Sequence, residues 1–227
     1  LFRSVRGRCW SVLGFHEAAL AFYDHAAKVN PRNGSYVYLA FDEVIRLDRV
    51  EEAIERAHAA ANDPAASSRA LFAAGHALLW AVQRERRFDG ENVLRGIIEI
   101  LRRAIAIESA AAPTQRLRSV LAQGYVEVGV CLERLDELES ALTAYDDALR
   151  VDPDNDGALT ARGMLQMARH EVSRAALDFE RAVGLGTPLV WPYLHLAFQA
   201  LKGAEYARCI ELCGMGILRS EDERHRA

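Results

Sequence analysis

The sequence predicts an all-α protein built from about six repeated helical hairpins. The stretch ALTAYDDALRVDP, residues 141–153, closely repeats ALAFYDHAAKVNP, residues 19–31. Marker positions recur at intervals of 34, 34, 54, 34 and 34 residues, so six copies are visible and one carries twenty extra residues. No segment shows the alternating pattern of a strand. Repeats of this length are typical of arrays of stacked helical units.

The first, fourth and fifth copies place a glycine twelve residues before an alanine and an aromatic residue four residues after that alanine, and the other copies depart from this pattern. Gly129, Ala141 and Tyr145 show the pattern most clearly. Small residues allow the two helices of a hairpin to approach closely, and we expect the aromatic ring to fill the volume between neighbouring hairpins. Pro153 ends the second helix, because proline cannot continue an α-helix.

Apolar residues at i, i+3, i+4 and i+7 spacing predict two amphipathic helices in each copy. The repeats run approximately over 1–33, 34–66, 67–112, 114–154, 155–188 and 189–220, with a polar tail at 221–227. One hairpin cannot bury both of its apolar faces, so we expect the hairpins to stack into a single domain over residues 1–227. The predicted helices are roughly 1–13 and 16–29, 34–47 and 50–62, 67–83 and 91–108, 114–133 and 137–150, 155–169 and 171–184, and 189–202 and 205–219.

The unit resembles the tetratricopeptide repeat (TPR), a 34-residue helix-turn-helix with small residues at its eighth, twentieth and twenty-seventh positions. The fourth copy matches best, and the second, with Phe41 at the eighth position, matches least. The resemblance implies a right-handed superhelical solenoid of about six TPR hairpins with an enlarged third repeat. It also implies a non-enzymatic scaffold or adaptor that binds a protein or peptide partner.

The resemblance further implies that the first helix of each hairpin lines a concave groove. The residues at the groove positions are mostly apolar and aromatic, which favours a hydrophobic peptide or an amphipathic helix as ligand. The alternative is that curvature buries part of this stripe as core. The predicted peptide-binding residues are Tyr38, Arg69, Phe72, His76, Trp80, Glu127, Arg134, Met164, Met167, Leu194 and Phe198, with Trp191 and Leu201 at further groove positions.

The charged groove residues have a separate predicted role. We expect Arg69, Glu127, Glu133 and Arg134 to set the direction and register of the bound segment. The paired lysines and asparagines with which some TPR proteins hold a C-terminal carboxylate are missing, so a clamp of that kind is not predicted.

The twenty extra residues of the third repeat enter at two places, 83–92 and 108–116. The simpler interpretation is that the helices are longer and the loops larger. The alternative is that Arg84, Arg86 and Arg87 form a docking point for an acidic segment. A nucleic-acid site is less favoured, because no aromatic residues accompany this short basic cluster.

Composition and charge argue against several classes of function. Of the 227 residues, 51% are apolar and 26% charged, and the net charge is −4. A negative chain is not expected to bind nucleic acid, and no apolar run reaches the roughly 18 residues that a membrane span needs. Only Lys28 and Lys202 among 28 basic residues are lysines, which favours a bacterial origin. Four cysteines without framework spacing favour a cytoplasmic location.

We find no set of residues typical of an enzyme, a cofactor site or a metal site. His16 and Glu17 lack the second histidine of a zinc-binding helix. Cys209 and Cys213 share a helix face and could bind a metal only with further ligands such as His195. We expect both cysteines to be buried as small apolar residues.

The acidic stretch around Pro153 has two interpretations. Asp152, Asp154 and Asp156 alternate as in a calcium loop, but Gly163 stands where the loop requires a glutamate. We therefore expect Asp152 and Asp154 to end one helix and to cap the next.

The last predicted helix, 205–219, is apolar on nearly every side. A terminal repeat needs a polar outer surface, so we expect this helix to be covered by a dimer mate, another domain or the functional partner. The alternative function is accordingly a regulatory or sensor portion of a larger protein, in which the groove or the last helix contacts another domain of the same chain.

Overall fold

The computed structural model describes residues 2–30, 34–85, 90–110 and 114–224. In these residues the backbone forms twelve α-helices and no strand, so the predicted all-α class is confirmed. The contacts divide the chain into two compact units, Leu1–Pro113 and Thr114–Ala227. The single domain over residues 1–227 stays a prediction.

Each unit contains three helical hairpins, and the observed helix ends lie within a few residues of the predicted ones. The exception is the last helix, which continues five residues beyond position 219. The helices of the first unit are α1 (Phe2–Val12), α2 (His16–Val29), α3 (Gly34–Arg46), α4 (Val50–Asn62), α5 (Ser68–Arg84) and α6 (Glu91–Ser109). Those of the second are α7 (Gln115–Arg134), α8 (Leu138–Val151), α9 (Asp156–Ala168), α10 (Val172–Gly184), α11 (Val190–Lys202) and α12 (Tyr206–Arg224).

The repeated glycine is explained by the aromatic ring of its own hairpin. A Cβ atom built on Gly163 would lie 2.6 Å from Cε1 of Phe179, and one on Gly7 would lie 2.6 Å from Cε1 of Tyr23. Both rings are buried. The ring also reaches the next hairpin, as expected, because Phe179 shares a core cluster with Tyr193 of α11.

Five hairpin turns share one backbone conformation. The second residue after the first helix has a positive φ, from 53° at Asp48 to 79° at Gly14. The next residue donates its backbone N–H to a carbonyl five residues back, as Glu171 does to Gln166 at 2.8 Å. This is the Schellman arrangement, which satisfies carbonyl groups at the end of a helix. The other residues with positive φ in these turns are Asp136, His170 and Ala204.

The enlarged third hairpin consists of longer helices, as the simpler interpretation predicts. Helix α5 has 17 residues and α6 has 19, whereas α3 and α4 have 13 each. Arg84, one of the three arginines considered as a docking point, forms an ion pair with Asp48 at 2.9 Å. Arg86 and Arg87 lie outside the described residues.

In the acidic stretch, the residue that caps the next helix is not the predicted one. Asp152 follows the last residue of α8, as expected. The cap of α9 is Asn155 and not Asp154, because the Asn155 side chain accepts a hydrogen bond from the Ala158 backbone at 2.8 Å. Asp154 instead binds Arg181 at 2.9 Å. Asparagine and aspartate cap equally well, so the position in the turn decides between them.

Candidate functional site

Helix α11 has one buried and one exposed apolar face. The buried face consists of Pro192, Tyr193, Leu196, Ala197 and Ala200. The opposite face carries four large apolar residues at spacings of three, four and three residues, which places them in a row along the helix. These residues are Trp191, Leu194, Phe198 and Leu201, with exposed fractions of 55%, 46%, 55% and 51%. We call them the α11 stripe.

Contacts on the buried side fix the orientation of the α11 stripe. The His195 ring stacks on Phe179 of α10, with centroids 5.1 Å apart and planes 6° from parallel. The Tyr193 hydroxyl donates to the Thr187 carbonyl at 3.1 Å. The Thr187 hydroxyl in turn donates to the Asp156 carboxylate at 2.6 Å, which ties the preceding loop to the start of α9.

The predicted methionines differ in their surroundings. Met164 of α9 occupies the same repeat position as Phe198 and is 40% exposed. Met167 is half-buried and packs against the core cluster shared by α10, α11 and α12. Of the two, Met164 therefore offers more accessible surface to a ligand.

The predicted carboxylates of the second unit are engaged within the protein. Glu127 is buried and accepts a hydrogen bond from Gln123 at 3.3 Å. Glu133 accepts a hydrogen bond from the Tyr145 hydroxyl at 2.9 Å. Burial raises the pKa of Glu133, although this hydrogen bond opposes the shift. Arg134 is the exposed charged member of the predicted set in this unit.

The predicted residues of the first unit differ in their solvent exposure. Tyr38, Arg69 and His76 are exposed, and Arg69 donates to the Ser35 hydroxyl. Trp80 is half-buried. Phe72 is only 7% exposed, a burial of the kind that the alternative interpretation describes for part of the stripe.

The acidic residues near Pro153 do not converge. Asp152 accepts a hydrogen bond from Ser119 at 3.0 Å, and Asp154 and Asp156 have the separate partners described above. Among the described residues, no three histidine, cysteine or acidic side chains form a group that could hold a metal ion. In the same part of the chain, no helix combines the length and apolar content that a membrane span needs.

Cys209 and Cys213 are half-buried and not fully buried as expected. Burial and the neighbouring thiol of Cys213 raise the pKa of Cys209. Cys131, by contrast, is fully buried, and burial raises its pKa to about 12.

The structure also shows a contact that the sequence analysis missed. The Lys202 ammonium lies 4.5 Å from the centroid of the Phe198 ring, so a positive charge borders the α11 stripe at its C-terminal end. The sequence could have predicted this contact, because residues four apart on a helix lie next to each other.

Comparison with solved structures agrees with the hairpin architecture. The chain is similar to BtubC (BKLC) from P. vanneervenii, with a TM-score of 0.61 and 14% identity over 93% of this chain and 90% of that one. It is similar to TTC0263, a thermophilic TPR protein in Thermus thermophilus, with a TM-score of 0.60 and 18% identity over 79% and 87%. It is also similar to YrrB, described as a TPR protein with an unusual peptide-binding site, with a TM-score of 0.52 and 18% identity over 79% and 82%.

No family model matches the sequence, and the search of curated proteins found no match. The structural similarities therefore establish the fold: the chain has the TPR fold, as its repeat pattern predicts.

Proposed function

We propose that this protein is a non-enzymatic cytoplasmic scaffold that binds an apolar peptide or one face of an amphipathic helix. The observation that carries the proposal is the α11 stripe, four large apolar side chains that are each about half exposed on one helix face. Covering the exposed half of one such side chain contributes roughly 0.7–1.5 kcal/mol, about half of the value for a fully exposed side chain. A contiguous apolar surface of this kind is typical of an interaction site.

The dimensions of the stripe suit a short helical segment. Trp191 and Leu201 are ten residues apart, which corresponds to about 15 Å along the helix axis. A partner helix with apolar residues at i, i+3 or i+4, i+7 and i+10 or i+11 covers this length with four anchors. Lys202 favours an acidic residue at the end of the partner that lies beside Phe198.

The fold supports the same proposal. Repeat arrays of helical hairpins generally present extended binding surfaces. One similar structure, YrrB, is described as having a peptide-binding site. At 18% identity this similarity is evidence for the fold and not for the ligand. The binding residues proposed for the present chain are therefore chosen from its own exposed side chains.

The test is selection of 12-residue peptides by display on the purified chain, followed by binding measurements on variants. We expect enriched peptides with apolar residues at helical spacing, and loss of their binding in Leu194→Ser and Phe198→Ser. The matched control is Leu177→Ser, because Leu177 of α10 is 67% exposed and lies on a second helix.

Circular dichroism should be unchanged in all three variants, because each side chain is already largely exposed. The proposal fails if the selected peptides bind Phe198→Ser as tightly as the parent chain, or if Leu177→Ser removes binding instead.

A further inference from the structure

The turn of the first hairpin differs in chemistry from the other four turns that share its backbone conformation. Counted from the last residue of α1, this turn consists of Val12, Leu13, Gly14 and Phe15. The equivalent stretches after α3, α7, α9 and α11 read RLDR, RLDE, ARHE and KGAE, and they begin at Arg46, Arg134, Ala168 and Lys202. Each of those stretches contains at least two charged residues, whereas residues 12–15 contain none. We call residues 12–15 the apolar turn.

The apolar turn is ordered and projects from the protein. Val12, Leu13 and Phe15 are 86%, 67% and 61% exposed. A Cβ atom built on Gly14 would meet nothing within 4 Å, so no other part of the described protein packs over the tip. The Phe15 backbone N–H donates to the Trp10 carbonyl at 2.8 Å, which holds the turn in one conformation.

A preceding hairpin does not by itself cover a turn of this kind. In the second unit α10 packs on α11, yet all four residues at 202–205 are exposed. The position of Val12 is exposed in each of the other four turns as well. Exposure is therefore a general property of this part of the hairpin, and the first turn is distinguished by its large apolar side chains.

Positive charge surrounds the apolar turn. The segment at 2–15 contains three arginines and no acidic residue, although the whole chain has a net charge of −4. Arg8 is exposed and lies four residues before Val12, which places both on the same face of α1. The nearest acidic residue along the chain, Glu17, is paired with Arg49 of the next hairpin. These charges favour an anionic surface as the partner of the turn.

We infer that the apolar turn inserts into the surface of an anionic lipid membrane, with Arg8 at the level of the lipid headgroups. Apolar side chains that enter this interface leave water, and basic residues beside them are attracted to anionic lipids. A lipid layer adapts its shape to a projecting turn, whereas a protein partner would need a matching cavity. Such a contact lies on the membrane and does not cross it. It therefore needs no spanning helix, and none is found among the described residues.

Flotation of the full chain with lipid vesicles tests the inference. The chain should bind vesicles of about 30% phosphatidylglycerol in phosphatidylcholine at least about tenfold more tightly than vesicles of phosphatidylcholine alone. Binding should weaken at about 0.5 M salt, because salt screens the attraction between arginines and headgroups. Equal binding to the two kinds of vesicle overturns the proposal. A chain that floats with neither also overturns it and favours a protein as the partner of the turn.

Two matched pairs of variants locate the contact. Leu13→Ser should weaken binding to the anionic vesicles by about tenfold. Leu177→Ser should leave it unchanged, although Leu177 of α10 is equally exposed at 67%. Arg8→Gln should weaken binding by about fivefold. Arg102→Gln removes the same charge from an exposed position of α6 and should have a smaller effect.

The α11 stripe is a second exposed apolar surface, and the same variants separate the two sites. The membrane contact does not rest on the proposed peptide site, so Leu13→Ser should leave peptide binding unchanged and Phe198→Ser should leave vesicle binding unchanged. Loss of vesicle binding in Phe198→Ser would overturn the proposal, as would equal losses in Leu13→Ser and Leu177→Ser. Circular dichroism should be the same for all these variants, because each changes an exposed side chain.

Discussion

Helices α5 and α11 each begin the third hairpin of their unit, yet they differ sharply in burial. Twelve of the 17 residues of α5 are buried, including a continuous run from Ala70 to Gly75. Five of the 13 residues of α11 are buried, and its opposite face carries the α11 stripe. Both helices are rich in alanine, leucine and aromatic residues. Composition alone therefore does not decide which of them becomes core and which becomes surface.

The difference follows from the neighbouring helices. Helix α5 packs against α3, α4 and α6, and the long α6 covers it over much of its length. The main neighbours of α11 are α10 and α12. Helix α5 is in extensive contact with all three of its neighbours, which together cover most of its sides. Helix α11 has two main neighbours and keeps one face open for solvent or a ligand. Four tests sharpen or break this comparison.

The largest expected effect is on the core side of α5. Leu71 is fully buried, and Leu71→Ala should lower the free energy of unfolding by about 3 kcal/mol through lost burial and a residual cavity. Leu194→Ala on the α11 stripe is the matched control and should change it by less than about 0.5 kcal/mol. Urea unfolding followed by circular dichroism measures both values. Equal losses at the two leucines would contradict the comparison.

The second effect contrasts two helical glycines. A Cβ on Gly75 of α5 would lie 2.5 Å from Cδ2 of Leu101, so Gly75→Ala should destabilise the protein by about 2 kcal/mol. A Cβ on Gly214 of α12 meets nothing within 4 Å. Gly214→Ala should stabilise by about 0.8 kcal/mol, because alanine favours the helix. Urea unfolding measures both values. A stabilising Gly75→Ala would argue against tight packing of α5 on α6.

The third effect concerns the turn between α11 and α12. Ala204 has a φ of 57°, a conformation that costs a residue with a Cβ about 1 kcal/mol more than glycine. Ala204→Gly should therefore raise the thermal midpoint and stabilise by about 0.5–1 kcal/mol. The same substitution at Ala59, an exposed residue inside α4, should destabilise by a similar amount. Loss of stability in Ala204→Gly would show that this turn does not have the described conformation.

The smallest effect extends the comparison to Glu133, a half-buried polar group of α7. The pKa of Glu133 is raised above its ordinary value of 4.5, so its charged form is the less favoured one in the folded state. Its contribution to stability is therefore present below about pH 4.5 and is lost as the pH rises through the folded pKa. Glu133→Gln removes this loss, and the amide oxygen can still accept the hydrogen bond from Tyr145.

The Glu133→Gln variant should match the parent chain at about pH 4. At about pH 7 it should be more stable by about 0.5 kcal/mol, a value reduced for the partial solvent exposure of the group. Urea unfolding at the two pH values measures the difference. A variant that is less stable than the parent chain at the higher pH would show that the carboxylate is favoured in its charged form.

The sequence predicted the fold more completely than the candidate site. Tyr38, Phe72 and Leu194 occupy the same repeat position, and the repeat alone assigns all three to one groove face. In the structure Tyr38 and Leu194 are 48% and 46% exposed, whereas Phe72 is 7% exposed. Their role in peptide binding stays a prediction. Only the two exposed residues offer a ligand accessible surface in the structure as it stands.

Local chemistry was sufficient for the helices, the places of their turns and the small residues where two helices of a hairpin meet. These features depend on residues within one 34-residue repeat, where periodicity and steric size act over short distances along the chain. Tertiary structure alone decided which first helices are enclosed and which keep an open face. That outcome depends on how extensively the neighbouring helices cover a given helix, and equivalent residues in different hairpins have different neighbours.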